Sequence, residues 1–174
     1  MTELSVVIPV HNEEENIRML VDEVRQALDD KISYELIYVN DGSSDGTLRQ
    51  LNDARQSCPQ LRVISHVTSV GQSTAVRTGV QHANSPWIAT LDGDGQNDPA
   101  DLPALFEVLK ANHADGVQLV NGYRKKRRDN FIKRISSRLA NGIRSSLLRD
   151  ETPDTGCGLK VFSREAYLAL PFFD

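Results

Sequence analysis

The sequence predicts an α/β fold, in which a doubly wound, mostly parallel sheet carries helices on both faces in a Rossmann-like arrangement. Two observations predict it. Short apolar, β-branched runs alternate with amphipathic helical segments along about the first 120 of the 174 residues. The first of these runs, residues 4–10, is β-branched and bounded by polar residues, which is typical of a parallel strand buried on both faces.

The first strand and helix show this pattern clearly. Residues 4–10 form a β-branched run bounded by polar residues, which indicates a buried strand. The apolar residues that follow recur at helical spacing, with charged residues between them: Ile17, Leu20, Val21, Val24 and Leu28. An amphipathic helix is therefore predicted after the strand, and the pair opens a βαβ unit.

The same alternation continues to residue 120. Further strands are predicted at 34–40, 61–65, 87–91 and 117–120, and helices at 47–55, 73–83 and 98–109. The last helix begins at Asp98-Pro99, an N-cap residue followed by a proline at the first helical position.

Composition argues against disordered, disulfide-rich and membrane-spanning classes. Apolar residues make up 39% of the chain and charged residues 25%, as in an ordinary globular domain. Cys58 and Cys157 are isolated and match no zinc or disulfide pattern, so a reduced, cytoplasmic setting is expected. No apolar stretch approaches the roughly 20 residues of a membrane-spanning helix, and we find no features of a secretory signal.

Basic residues are concentrated in one segment. Residues 124–149 carry ten Lys and Arg against one acidic residue, whereas residues 1–123 carry eight against eighteen. The chain therefore divides into an acidic region, residues 1–123, and a region that begins with the basic segment, residues 124–174, within one predicted domain. Such a density of basic residues indicates an anionic partner.

Acidic residues follow three of the predicted strands, at 11–13, 41–46 and 92–96. In doubly wound sheets ligands bind at the carboxyl ends of the strands, so these acids are candidate site residues. No GxGxxG motif follows the first strand, which argues against a dinucleotide site. Because carboxylates repel phosphates, the acids either bind sugar and base hydroxyls or hold a divalent cation.

Asp92 and Asp94 suit a hard cation, because alternate residues at a strand end can turn their oxygens toward one ion, and Gln96 can add an amide oxygen. The alternative is a solvated turn whose glycines supply positive φ. The other acidic strand ends favour the metal site. At the second strand end we expect Asp45 or Thr47 to cap the next helix and Asp41 to contact a ligand.

Six motifs occur in order along nearly the whole chain: Val6-Val-Ile-Pro-Val-His-Asn-Glu13, Val39-Asn-Asp-Gly-Ser-Ser-Asp-Gly46, Gly71-Gln-Ser-Thr-Ala-Val-Arg-Thr-Gly79, Leu91-Asp-Gly-Asp-Gly-Gln-Asn-Asp-Pro99, Gly122-Tyr-Arg124 and Asp154-Thr-Gly156. Together they resemble the family 2 glycosyltransferases of the GT-A fold, and more closely the dolichyl-phosphate mannosyltransferase-like branch. Ser69 departs from the pattern, because Asn often stands there. The chain also ends early for this family, as a truncated domain would.

The resemblance implies that residues 1–123 bind a GDP- or UDP-linked sugar. The implied base and ribose pocket consists of Pro9, His11 and Glu13. Asp41 would contact the nucleoside, and Gly93 would lie against the donor. Mg²⁺ or Mn²⁺ on the donor diphosphate would be held by Asp92, Asp94 and Gln96.

The resemblance further implies a metal-dependent, inverting transfer of a hexose to a polyprenyl phosphate, such as dolichyl or undecaprenyl phosphate. Asp94 and Arg124 would take part in catalysis. The phosphates of acceptor and donor would be bound by Arg124, Lys133 or Arg134, and Ser137. A phosphate monoester has a second pKa of about 6, so this acceptor needs no general base. A sugar or protein hydroxyl, the alternative acceptor, would need one, and Asp154 is then either that base or only a turn residue.

The basic segment also carries an apolar stripe that continues to residue 148. A helix of this kind can lie on an anionic membrane surface, here the cytoplasmic face, or pack on the sheet. The other enzyme class considered, a nucleotidyltransferase, usually has a basic phosphate loop after its first strand, which this chain lacks. A nucleic-acid-binding module is the non-enzymatic alternative. The acidic remainder of the chain disfavours it, so no nucleic-acid partner is expected.

Overall fold

The computed structural model describes residues 2–122 and 157–171. Within these ranges the chain forms a six-stranded mixed sheet in the order β3-β2-β1-β4-β6-β5. The strands are Leu4–Val10 (β1), Tyr34–Asp41 (β2), Leu61–His66 (β3), Trp87–Thr90 (β4), Leu119–Asn121 (β5) and Lys160–Ser163 (β6). The helices are Ile17–Leu28 (α1), Thr47–Ala54 (α2), Gln72–Gln81 (α3), Leu102–Asn112 (α4) and Arg164–Ala169 (α5).

The centre of the sheet is parallel and covered on both faces. β1 pairs in parallel with β2 and β4, and both β1 and β2 are buried along their whole length. Val6 and Ile8 pack in one core cluster with α1, α2 and α4, whereas Val7 packs on the opposite face with α3. The continuous apolar run of β1 follows from this double burial, and the predicted fold class is confirmed.

Most predicted elements lie where the sequence patterns indicate, with shifts at their ends. The five apolar residues predicted to form the core face of α1 are all buried. The helix expected at 98–109 starts as a 3₁₀ turn, Pro99–Asp101, and continues as α4 to Asn112. Asp98 caps it as predicted, because its Oδ1 accepts a hydrogen bond from the Ala100 amide at 3.0 Å.

β6 and α5 are not among the predicted elements. β6 lies between β4 and β5 and is antiparallel to both. Its register pairs Lys160 with Thr90, so the residues that precede β6 lie beside those that follow β4. The sheet is therefore mixed at this edge, and the edge contributes to the site described below.

Five predicted site residues lie outside the described ranges, as does the amphipathic pattern of the basic segment 124–149: Arg124, Lys133, Arg134, Ser137 and Asp154. Among the residues that the structure describes, no helix has both the length and the apolar character required to cross a bilayer.

Candidate functional site

A cleft of about 400 Å³ opens at the carboxyl ends of β1, β2 and β4. Its lining residues are Pro9, Val10, His11, Glu13, Asp41, Ser69, Gly71, Gln72, Asp92, Gly93 and Asp94. The three acidic strand ends therefore meet in one place, because parallel strands end at the same edge of a sheet. All the predicted donor-side residues line the cleft except Gln96.

Pro9 lies in a central strand, where a proline normally removes a ladder hydrogen bond. The neighbouring Val7 carbonyl accepts from the Leu91 amide at 3.3 Å, but β4 ends at Thr90. The backbone of Pro9, like that of Val7, is directed toward the β4 side of the strand. Because β4 has already ended at that level, the missing amide of Pro9 interrupts no hydrogen bond between β1 and β4. The chain can then cross closely over β1: a Cβ on Gly93 would lie 2.9 Å from the Pro9 carbonyl oxygen.

The carboxylate of Asp41 is buried and bound by four donors from the chain itself. His66 Nδ1 lies 2.7 Å from Oδ1, and Ser69 Oγ lies 2.8 Å from Oδ2. The amides of Val70 and Gly71 also donate to it, at 3.0 and 2.9 Å. Burial alone raises the pKa of Asp41, but the hydrogen bonds from His66, Val70, Ser69 and Gly71 outweigh it and bring the pKa to about 2.

A carboxylate offers about four acceptor positions, and the chain's own donors already occupy those of Asp41. Its evident role is to anchor the loop after β3 against the end of β2. The predicted contact of Asp41 with a nucleoside stays a prediction, and it would require one of these donors to be exchanged for the ligand.

The loop after β3 is the region of the cleft that sequence reasoning missed. It contributes Ser69, Gly71 and Gln72 to the lining, but it carries no acid, so a search for charged strand ends passed over it. In the sequence, the available indication was Gly71, which stands directly before a helical pattern. In the structure its φ is 93°, which is favourable only for glycine, and its carbonyl oxygen accepts a hydrogen bond from the Ala75 amide at the start of α3.

The loops after β1 and β2 are bound to each other. His11 Nδ1 lies 2.7 Å from the Asp41 carbonyl oxygen, which can only accept, so Nδ1 carries a proton. Asn12 Oδ1 accepts from the Ser44 amide at 2.8 Å. The N-cap residue of α2 is Gly46, not Asp45 or Thr47 as predicted. Asp45 precedes it, and its Oδ1 accepts a hydrogen bond from the Thr47 amide at 2.9 Å.

The acidic segment after β4 forms a glycine-containing turn beside the cleft. Asp94 Oδ1 accepts from the Gln96 amide at 3.0 Å and Gly95 has a φ of 69°, as in a glycine-containing turn. Asp92 and Asp94 nevertheless both line the cleft. The Gln96 side chain is exposed and outside the lining, so its role as a metal ligand stays a prediction.

These two aspartates fit a hard divalent cation that is shared with a ligand. Among residues 2–122 and 157–171 no group of three or more His, Cys, Asp or Glu side chains is arranged to hold a metal by itself. Mg²⁺ at nucleotide sites, however, is commonly held by one or two carboxylates together with phosphate oxygens and water. The donor set therefore matches a cation bound jointly by the protein and a diphosphate.

A second cavity of about 370 Å³ adjoins the cleft. Pro9, Gln72 and Asp92 line both cavities. The second one is further lined by residues of the β6 and α5 region, including Lys160 and Tyr167, and burial raises the pKa of the Tyr167 phenol. Asp92 thus borders both cavities.

The description "Glycosyl transferase family 2" belongs to a family model that matches residues 5–170. The chain belongs to this family. It is 37% identical over 167 residues to a dodecaprenyl-phosphate galacturonate synthase of Rhizobium johnstonii, covering 92% of this chain and 47% of that protein. It is 33% identical to an undecaprenyl-phosphate 4-deoxy-4-formamido-L-arabinose transferase of Edwardsiella ictaluri, covering 96% of this chain and 51% of that protein. The chain spans about half the length of these curated relatives.

Solved structures show the same GT-A fold for this family 2 chain. The glucosyl-3-phosphoglycerate synthase of Mycobacterium tuberculosis, in complex with Mn²⁺, UDP and glucosyl-3-phosphoglycerate, matches with a TM-score of 0.76 at 23% identity, over 98% of this chain and 60% of that one. The mannosyltransferase PcManGT of Pyrobaculum calidifontis, in complex with GDP-Man and Mn²⁺, matches with a TM-score of 0.70 at 20% identity, over 96% of this chain and 46% of that one.

Proposed function

We propose that this protein transfers a hexose from a GDP- or UDP-linked sugar to a polyprenyl phosphate, with inversion and with the help of Mg²⁺ or Mn²⁺. The observation that carries the proposal is the acidic cleft in which Asp41, Asp92 and Asp94 meet. Membership of family 2 supports it, as do relatives named for dodecaprenyl and undecaprenyl phosphate.

The two cavities suggest how the donor lies. A nucleoside-diphosphate sugar is linear, with its diphosphate between the nucleoside and the sugar. If the diphosphate lies at Asp92, the nucleoside occupies the cleft beside His11 and Asp41, and the sugar extends into the second cavity beside Lys160. The presence of Asp92 in the lining of both cavities supports this placement.

Charge in the cleft supports a role for a cation. The low pKa of Asp41 keeps it ionised at neutral pH, and Asp92 and Asp94 add further carboxylates. A bound Mg²⁺ or Mn²⁺ would neutralise the diphosphate as it becomes the leaving group. In the proposal Asp92 and Asp94 hold the cation, with Gln96 as a further ligand, while Arg124, Lys133 or Arg134, and Ser137 bind the phosphates.

The acceptor side of the proposal rests on residues 124–174, which follow the donor-binding residues 1–123. A polyprenyl phosphate is largely ionised at neutral pH, so positioning of the nucleophile suffices and no general base is required. The basic segment supports an anionic acceptor and a location at the cytoplasmic face of a membrane.

Donor binding is tested by the melting temperature of the intact protein with UDP- and GDP-sugars, with and without Mn²⁺. We expect one nucleotide class to raise it in the presence of Mn²⁺, because a ligand that binds only the folded state stabilises it. Transfer is tested with a radiolabelled donor and undecaprenyl phosphate, with undecaprenol as the matched control that lacks the phosphate.

The double variant Asp92→Asn, Asp94→Asn is the control for the metal site, and we expect it to lose the Mn²⁺-dependent stabilisation. Equal stabilisation of the wild type and this variant would contradict the proposed cation site. Transfer to undecaprenol but not to undecaprenyl phosphate would contradict the proposed acceptor.

A further inference from the structure

The carboxylate of Asp92 is contacted from α3 by a residue to which no role has been assigned. Gln72 is the first residue of α3, and its Nε2 donates a hydrogen bond of 2.9 Å to Asp92 Oδ1. The Gln72 side chain is exposed and lines both cavities. Its amide is therefore placed to fix one oxygen of Asp92 without belonging to the core.

On its other side Asp92 lies against Gly158. The antiparallel register of β4 and β6 pairs Thr90 with Lys160, so two residues further along Asp92 lies opposite Gly158. The Thr90 hydroxyl donates to the Gly158 carbonyl at 2.9 Å and holds the two chains together there. A Cβ placed on Gly158 would lie 2.0 Å from Asp92 Oδ2 and 2.1 Å from its Cγ.

Such distances are far below van der Waals contact, so any side chain at position 158 would displace the carboxylate of Asp92. No positive φ accounts for this glycine; what requires it is the room for the carboxylate. The same Cβ would lie 2.4 Å from Oδ1, the oxygen that Gln72 binds. Gln72 thus constrains the Asp92 carboxylate by a hydrogen bond, and Gly158 does so by leaving space for it.

We propose that Gln72 and Gly158 are positioning residues that set the orientation of the Asp92 carboxylate for the divalent cation. The inference rests on the proposed cation site. It also means that β6, which follows the basic segment in the chain, helps to shape the donor site.

The expected effect is on metal affinity. Hydrogen-bond partners of metal-ligating groups typically change metal affinity by about 10- to 100-fold when they are removed. We expect Gln72→Ala to weaken Mn²⁺ binding by about tenfold and Gly158→Ala by more, since displacement of the carboxylate is a larger change than the loss of one donor.

The experiment measures Mn²⁺ affinity of the intact protein by electron paramagnetic resonance, with UDP or GDP present at saturation. Gln81→Ala is the matched control for Gln72→Ala, because Gln81 is an exposed glutamine at the other end of α3. Gly122→Ala is the control for Gly158→Ala, because its Cβ would crowd Leu159, next to Gly158, rather than Asp92. Melting temperatures without metal report any loss of folding.

We expect both control variants to bind Mn²⁺ like the wild type, and Gln72→Ala to bind it weakly while keeping the wild-type melting temperature. Wild-type affinity in Gln72→Ala and Gly158→Ala, together with loss of binding in Asp92→Asn, would overturn the inference and leave the proposed function standing. A wild type that binds Mn²⁺ no better than Asp92→Asn would instead overturn the proposed cation site. If Gly158→Ala does not fold, Gln72→Ala still tests whether the hydrogen bond from Gln72 to Asp92 contributes to metal binding.

Discussion

At the scale of single residues, Asp41 shows that a carboxylate in a ligand cleft can serve the protein's own loops. Its buried oxygens receive hydrogen bonds from His66, Ser69, Val70 and Gly71. Hydrogen bonds to a charged group contribute more than neutral ones, and burial makes an unpaired donor costly. Asp41 therefore stabilises the cleft in the absence of any ligand.

The low pKa of Asp41 predicts an acid-sensitive contribution to stability. The pKa is about 2 in the folded protein against an ordinary value of 3.8, so the contribution is fully present above about pH 4 and is lost as the pH falls toward 2. The difference corresponds to about 2 kcal/mol. We expect urea unfolding to show that wild type and Asp41→Asn differ by about 2 kcal/mol less at pH 2 than at pH 6.

Other carboxylates titrate in both proteins, so they cancel in this comparison. A difference in unfolding free energy between wild type and Asp41→Asn that is the same at both pH values would show that the charge of Asp41 does not stabilise the fold.

At the scale of elements, the loops that follow the strands are packed against one another. Gly42, directly after β2, has a φ of 65°, and a Cβ there would lie 2.4 Å from the Ser69 amide nitrogen. The loop after β3 can donate to Asp41 because the chain at Gly42 lets it approach so closely. The cleft wall thus depends on Gly42 for the positive φ after β2 and for the close approach of the loop after β3.

Gly42→Ala should destabilise the protein more than an alanine at a comparable but uncrowded glycine. Gly116 is the matched control, since its φ is 93° and nothing lies within 4 Å of a Cβ there. Both variants incur the cost of positive φ, about 1 kcal/mol, whereas only Gly42→Ala adds overpacking of about 1 to 3 kcal/mol. Urea unfolding measures both, and equal losses would contradict the crowding argument.

At the scale of the whole molecule, the strand after the basic segment lies in the interior of the sheet. β6 lies between β4 and β5, and its Val161 is fully buried in the same core cluster as β1 and α4. β6 therefore shares a hydrophobic core with β1 and α4, and its Phe162 packs in the cluster on the opposite face of the sheet. The contact of Gly158 with Asp92 follows from this arrangement.

Val161→Ala tests whether β6 unfolds together with the rest of the sheet. We expect it to lower the free energy of unfolding by about 2 to 3 kcal/mol in a single transition, because it leaves a cavity in the shared core. Leu119→Ala in the adjacent β5 is the control; Leu119 is 51% exposed, so a change within about 0.5 kcal/mol is expected. A separate early transition in Val161→Ala would show instead that β6 unfolds independently of the rest of the sheet.

The sequence by itself determined the α/β class, the strands from β1 to β5 to within a few residues, and the acidic edge at β1, β2 and β4. These features depend on local patterns: apolar runs, helical periodicity, and the rule that parallel strands end at one edge. The predicted family is confirmed by the family model that matches residues 5–170.

Tertiary structure alone decided which partners these residues have. The residues 160–163 carry no pattern that indicates a strand between two earlier strands of the sheet. Neither β6 nor the contact of Gly158 with Asp92 could therefore be predicted from the sequence. Likewise, an uncharged loop after β3 supplies the donors to Asp41. Both depend on contacts between residues far apart in the chain, which local periodicity and charge do not encode.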